Sequence, residues 1–478
     1  MGAARVAEPN NRNRMAAMDG LSALANQDMD GVLHGMTQLK SLRQQGPVMI
    51  DHGQGIYIWD EAGKQYIDGL AGLWCTTLGY GNEEVARAAY DQMVKLSYGH
   101  IFLDKGHETA ARLAETLKEL VPGGFSKVFF GLSGSDANDT QVKLARYYFN
   151  AIGKPEKKKI ISRQKGYHGV TMAAASATGL PPMHKGFDLP NDGFIKADCP
   201  HYYRFRQDGE TEEDFTDRLA HNLENLILRE GPETVAGFIA EPIMGAGGVI
   251  VPPESYFPKI QPILRKYNVL FIDDEVVTGF GRTGSPFGAD SFGLEPDTMT
   301  LAKSLTSAYL PLSAVMLPAF MYEAMLNVSD DWGVFGHGYT YSGHPVSCAV
   351  ALKVLEIYRR DALFDHAAKM GEVFQRHLRA LNQHPLVGEA RGRGMIGACE
   401  LVADKETGQA FDVNDGVGKY ALSRMKENGL ISRAIGDSLA LCPPLAITEA
   451  EIAEIFERYQ KSLDETLDWA STKGLLKH

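Results

Sequence analysis

Cysteine is scarce in this chain. Five stand in 478 residues, Cys75, Cys199, Cys348, Cys399 and Cys442, far apart and with no CxxC pair. That excludes a disulfide framework and a cysteine zinc site, and it suits a reducing cytosol. Long apolar runs are missing as well. None approaches the roughly 18 residues that a membrane span needs, and the N-terminal stretch lacks the apolar core of a secretory signal. Positive charge is in deficit: 48 Lys and Arg against 60 Asp and Glu leave a net charge of −12. The balance favours solubility and offers no footing for nucleic acid or an anionic membrane. Glycine (50) and proline (22) show no collagen-like period. At about 150 residues per domain, the chain amounts to two large domains or three ordinary ones, enough to bury a sizeable core.

Residues 1–30 are polar, Met-rich and aperiodic, and read as a flexible tail or a partner-gripping arm. IYIWD, ending at Asp60, alternates apolar and polar residues; EAGK then turns the chain into QYID, a hairpin pattern. EEVARAAYDQMVKL and ETAARLAETLKELV carry helical spacing. From Lys127 short apolar runs alternate with helical stretches: KVFF, KKKIIS, VAGFIAEP, VLFIDDEV, TMTLAK and LSAVML. Runs so short and so apolar fit buried parallel strands. Past 345, long helices accompany two strand patterns, MIGACELV and LALCPPLAI. The expected fold is α/β: a mostly parallel sheet flanked by helices over residues 76–344, with a smaller α+β domain assembled from the N-terminal segment 31–75 and the C-terminal segment 345–478.

Open α/β sheets bind ligands at the carboxyl ends of their strands, and four such ends here carry unusual residues. FFGLSGSDANDT joins a strand to a helix opening near Ser135; small residues and free N–H groups there can cradle an anion, or Ser135 is an ordinary N-cap. VLFIDDEVVTGFGRTG would bury Asp273 or Asp274, which is costly without a cation; Arg282 or backbone caps could serve, and a magnesium site lacks further carboxylates. Lys303 follows a short apolar strand; a buried lysine tends to lose its charge and becomes a nucleophile for carbonyls, whereas a lone lysine after a strand is more often on the surface. In QKGYHGVT, Tyr167 and His168 stand between glycines, where an aromatic can stack on a flat ligand or simply pack. Taken together, a phosphate cradle, a buried carboxylate, a planar stacker and a nucleophilic lysine describe a site for pyridoxal 5'-phosphate, with no metal.

The chain resembles the class III aminotransferases, fold type I pyridoxal phosphate enzymes, and within them the omega-amine:pyruvate transaminases. The resemblance spans about residues 35–465 and rests on GLWCTTLGYG, SGSDAND, GYHG, DDEVVTGFGRTG, AKSLTSAYLPLSA, HGYTYSGHP and SRAIGDSLALCPPL. It implies that Lys303 is the Schiff-base lysine and proton shuttle and Asp274 the partner of the pyridine nitrogen. Val276 and Tyr167 would hold the two ring faces, Gly134 and Ser135 the phosphate, with His168 and Glu241 beside the cofactor. Thr340 would reach the phosphate of a neighbouring subunit, so a homodimer or larger assembly is implied. Trp74 and Tyr98 would wall the substrate pocket, and Arg433 would grip the carboxylate of pyruvate or alanine. Relatives specific for 2-oxoglutarate carry an arginine where this chain has Ala440. Asp136 departs from the usual Glu, and Ser304 from the usual Gly.

The implied reaction is ping-pong transfer of an amino group from an ω-amino acid or amine to pyruvate. A decarboxylase, racemase or aminomutase would use the same lysine, and a 2-oxoglutarate aminotransferase the same cofactor. A non-catalytic pyridoxal-binding regulator would be expected to add a basic DNA-binding module, and none is visible.

Overall fold

In the computed structural model, which describes residues 21–477, the short apolar runs line up as one sheet. β1 (Lys127–Gly131), β2 (Lys159–Arg163), β3 (Phe194–Ala197), β4 (Val235–Ala240), β5 (Leu270–Asp274), β6 (Thr298–Leu301) and β7 (Ser313–Leu317) stand in the order β1-β7-β6-β5-β4-β2-β3. Pairings from β6 to β3 are parallel, and β7 runs antiparallel to both β6 and β1. Strands β4 to β7 are buried along their whole length, which accounts for their unbroken apolar texture. The helix Gly134–Ala151 packs on β4 to β7, while Glu212–Glu230 lies on β3 and Tyr256–Lys266 on β5. β3 escapes the sequence pattern because it is a four-residue, half-buried edge strand whose FIKA is neither wholly apolar nor regularly alternating.

Two four-stranded sheets are built from the two ends of the chain. Tyr57–Asp60 and Gln65–Asp68 form the expected hairpin, its turn held by the Asp60 carboxylate, which accepts from the N–H groups of Ala62 and Lys64. Leu430–Ile431 joins that sheet parallel to Gln65–Asp68, tying the C-terminal segment to the N-terminal one. The other sheet, wholly antiparallel, contains Val387–Arg393, Ile396–Leu401, Ser438–Leu441 and Arg433–Ile435. Thr448 and Glu451 form a capping box that starts the final helix, Glu449–Thr472.

Of the arm expected over residues 1–30, residues 1–20 lie outside the described residues. Ala23–Gly31 is helical rather than aperiodic, with the Ser22 hydroxyl accepting from the Ala25 N–H at 3.0 Å. Its one buried side chain is Ala25, so there was no apolar stripe to read. Among the described residues no helix is long and apolar enough to cross a membrane.

Candidate active site

The carboxyl ends of β1, β2, β4, β5 and β6 converge on a cavity of about 740 Å³. Gly134, Ser135, Tyr167, His168, Glu241, Asp274, Val276, Lys303, Trp74 and Arg433 all line it.

Asp274 ends β5 and is buried. Its Oδ2 accepts from Asn138 Nδ2 at 2.7 Å and from His168 Nδ1 at 2.8 Å, and its Oδ1 accepts from the Val276 N–H at 3.2 Å. Three donors fix the orientation of this carboxylate at the strand end. Asp273, next along the strand, faces the opposite side of the sheet. No donor among the described residues meets either of its oxygens, and burial, reinforced by Glu275 and Asp274, pushes its pKa well above the carboxylate range. Adjacent aspartates thus have opposite surroundings, and they do not converge on a common ion. Arg282 is not the balancing cation: it donates to the carbonyls of Met395 and Pro443. His168 is the partner instead. Its Nε2 is buried and meets no partner among the described residues.

Lys303 follows β6 with φ +48, a left-handed conformation that is costly for a residue with a Cβ and that collects at functional sites. No described residue accepts from its Nζ. Burial lowers its pKa from the ordinary amine value, opposed by Cys75, Asp274 and Glu241. The result is an amine that gives up its proton more readily than a surface lysine.

The anion cradle is the start of the helix Gly134–Ala151. Its N-cap is Ser133, not Ser135. The Ser133 hydroxyl accepts from the Asp136 N–H at 3.2 Å, and Asp136 Oδ2 accepts from the N–H groups of Ser133 and Leu132, each at 3.0 Å. Asp136 therefore shapes the turn, and it also accepts from the Ser313 hydroxyl at 3.0 Å, pinning the helix start to β7. Ser135, relieved of capping, accepts from the Val170 N–H at 3.1 Å and lines the cavity. At Gly134 an added Cβ would come within 3.0 Å of both γ-carbons of Val276. Glu241 holds the Tyr167 loop: its Oε1 accepts from the Tyr167 N–H at 2.9 Å and its Oε2 from the Gly245 N–H at 3.0 Å. Burial raises its pKa, as it does that of the Tyr167 phenol.

Trp74 lines the cavity from a contorted segment in which Ala71, Gly72 and Trp74 all take positive φ. Arg433 reaches it from the strand Arg433–Ile435. It does not pair with Asp437, whose Oδ1 accepts from the Gly418 N–H at 2.9 Å. Two expected residues stay outside: the Tyr98 hydroxyl donates to the Thr340 carbonyl at 2.8 Å, both residues being exposed and away from the cavity of their own chain. Asn138 went unnoticed in the sequence, although it lies four residues after Gly134 and hence one turn along the same helix face. Leu70, Leu422 and Met36 also line the cavity from segments with no motif, and Ser432, the first residue of SRAIGDSLALCPPL, lines it beside Arg433.

The residues present fit pyridoxal 5'-phosphate: a cradle of small residues at a helix start, a carboxylate held by three donors, an aromatic, and an amine with lowered pKa. The described residues that could group around a metal are His201, Glu389 and Glu400. Arg391 Nη1 occupies both carboxylates, at 2.7 and 2.6 Å, and Arg204 also donates to Glu400.

A family model described as aminotransferase class-III matches residues 40–463. The chain is 46% identical over 421 residues to a tomato protein named gamma aminobutyrate transaminase 3, chloroplastic, covering 88% of this chain and 81% of that one. It is 47% identical over 421 residues to a rice (Oryza sativa subsp. indica) protein named probable gamma-aminobutyrate transaminase 3, mitochondrial, covering 88% and 82% of the two chains. It also matches the crystal structure of the omega transaminase from Pseudomonas jessenii in complex with PMP, with a TM-score of 0.93 and 49% identity over 94% of this chain and 99% of that one.

Proposed function

The chain belongs to the class III aminotransferases, which depend on pyridoxal 5'-phosphate, and on that footing we propose that it moves an amino group from an ω-amino acid or amine to pyruvate, giving alanine, in two ping-pong half-reactions. The observation that carries the acceptor is Arg433, a guanidinium on the cavity wall whose charge is answered by no carboxylate of the described residues; Tyr167 alone favours it against burial. A planar fork of donors without an anion of its own suits a substrate carboxylate. Ala440 is the direct cross-strand partner of Arg433. Its small side chain leaves one guanidinium at that point, enough for the single carboxylate of pyruvate. The tomato and rice relatives are named for γ-aminobutyrate, a donor whose one carboxylate the same arginine can hold.

When bound, the cofactor supplies an aldehyde that condenses with amines and a ring that draws electrons from the carbon bearing the nitrogen. The chain supplies the rest. Lys303 Nζ would hold the aldehyde and move the proton at the substrate carbon, a task its lowered pKa favours. Asp274, oriented by Asn138 and His168, would face the ring nitrogen. Tyr167 and Val276 would flank the ring and Gly134 and Ser135 would hold the phosphate, while Glu241 fixes the Tyr167 loop. Thr340 and Tyr98 serve the cavity of a second copy. In support, Leu103 and Val334 on neighbouring loops are 89% and 81% exposed, apolar surface that a homodimer would cover. Five free cysteines suit a reducing compartment such as the cytosol.

The test is a donor panel against pyruvate and 2-oxoglutarate, with each donor also given alone. Donor alone should bleach the aldehyde absorbance, and pyruvate should restore it. Turnover with the absorbance unchanged would favour decarboxylation or racemisation; recovery by 2-oxoglutarate alone would overturn the acceptor.

A further inference from the structure

A second cavity, of about 590 Å³, lies beside the substrate cavity. The two share two lining residues, Leu422 and Ser432. Leu422 comes from the helix Val417–Glu427 and is half-buried. Ser432 is held by its hydroxyl, which donates to the Ala440 carbonyl at 2.8 Å. It directly precedes Arg433, so the partition stands at the carboxylate end of the substrate cavity. On the far side Lys419 and Lys426 line the second cavity with the stacked pair Tyr420 and Trp469, whose ring centroids are 4.2 Å apart. Neither lysine forms an ion pair at contact distance among the described residues, although Asp60 and Glu427 act on Lys426 from farther off; Lys419 Nζ donates to the Ser41 hydroxyl at 3.4 Å. Asp415 also lines this space, and its Oδ2 accepts from the Asp412 N–H at 3.1 Å.

We propose that Leu422 sets the substrate length limit: with Ser432 it closes the substrate cavity from this neighbouring, lysine-lined space, and so restricts ω-amino acid donors to chains whose carboxylate falls at Arg433. With the amine fixed at Lys303, every added methylene pushes the carboxylate past Arg433 and against Leu422. Only an opened partition would let it pass to Lys419 and Lys426. The inference rests on the reading of the first cavity as the donor site. Leu422 holds no proton and touches none of the reacting atoms; it acts by excluding volume.

The experiment compares kcat/KM for γ-aminobutyrate, ω-aminocaprylate and octylamine with pyruvate as the fixed acceptor. Leu422→Ala should shift the ratio of long to short amino acid by about tenfold or more, mainly through KM, the scale at which apolar pocket walls discriminate. Leu422→Phe should shift it the other way. The gain on ω-aminocaprylate should exceed that on octylamine, and Lys419→Ala with Lys426→Ala in the Leu422→Ala background should erase the excess. A ratio unmoved in both Leu422 variants overturns the proposal. If Leu422→Ala is not recovered folded, Leu422→Val and Leu422→Phe carry the same comparison. If the wild type turns over no amine with pyruvate, the functional reading fails rather than the partition.

Discussion

Truncating Arg433 to alanine probes the acceptor site directly. The side chain is half-buried on a three-residue strand, and the group acting most on its charge, apart from burial, is Tyr167. No ion pair among the described residues is broken by its removal, so folding stability should hardly change. The loss should appear in catalysis. A hydrogen bond to a charged group contributes about 1.5–3 kcal/mol, and 1.36 kcal/mol is a tenfold change in rate. Pyruvate kcat/KM should therefore fall by roughly 10- to 150-fold, and further if both arms of the fork engage. Arg433→Lys should recover only part, because an ammonium is a point charge without the fork. The assay varies pyruvate at saturating arylalkylamine, then follows the aldehyde bleach with the arylalkylamine and with γ-aminobutyrate alone. The carboxylate-free amine should bleach as fast in the variant as in the wild type. Equal losses for pyruvate and for that amine would refute the reasoning.

Lys303→Ala should abolish turnover, and borohydride treatment of the wild type followed by peptide mapping should put the cofactor label on Lys303; a label elsewhere ends the assignment. Gly134→Ala should lower cofactor content measured by absorbance while leaving the far-UV spectrum intact, because the new Cβ lies 3.0 Å from two Val276 carbons although alanine favours the helix by about 1 kcal/mol. Burial raises the Glu275 carboxyl from 4.5 to about 7. In that window the native chain holds a proton that the unfolded chain has lost, so stability should fall as pH rises from 4.5 to about 7. Thermal unfolding of Glu275→Gln across that window should show a flatter dependence; an unchanged slope would mean that another group is responsible.

The site shows why local pattern carries some residues and not others. A strand buried on both faces has to be apolar, so Asp274 and Lys303 at the ends of β5 and β6 stand out against their neighbours. Asn138 does not stand out, since a polar residue in a helix is ordinary until its amide is found bridging Asp274 and the His168 carbonyl, each at 2.7 Å. In the sequence Asp136 is only a departure from the usual Glu. In space it is the capping partner of Ser133 and the anchor to Ser313.

What the sequence determined alone was the alternation of buried strands with helices, the hairpin before Asp68, and the chemical identity of the residues at the strand ends, because each depends on short-range periodicity or on a motif within a few positions. Tertiary structure decided the rest. The antiparallel place of β7, the choice of His168 rather than Arg282 as the partner of Asp274, and the freedom of Arg433 from Asp437 depend on which segments meet across large separations. The same holds for the partition at Leu422. No local rule encodes those meetings; they follow from packing the chain around its three sheets, where burying a polar group is costly unless a neighbour answers it.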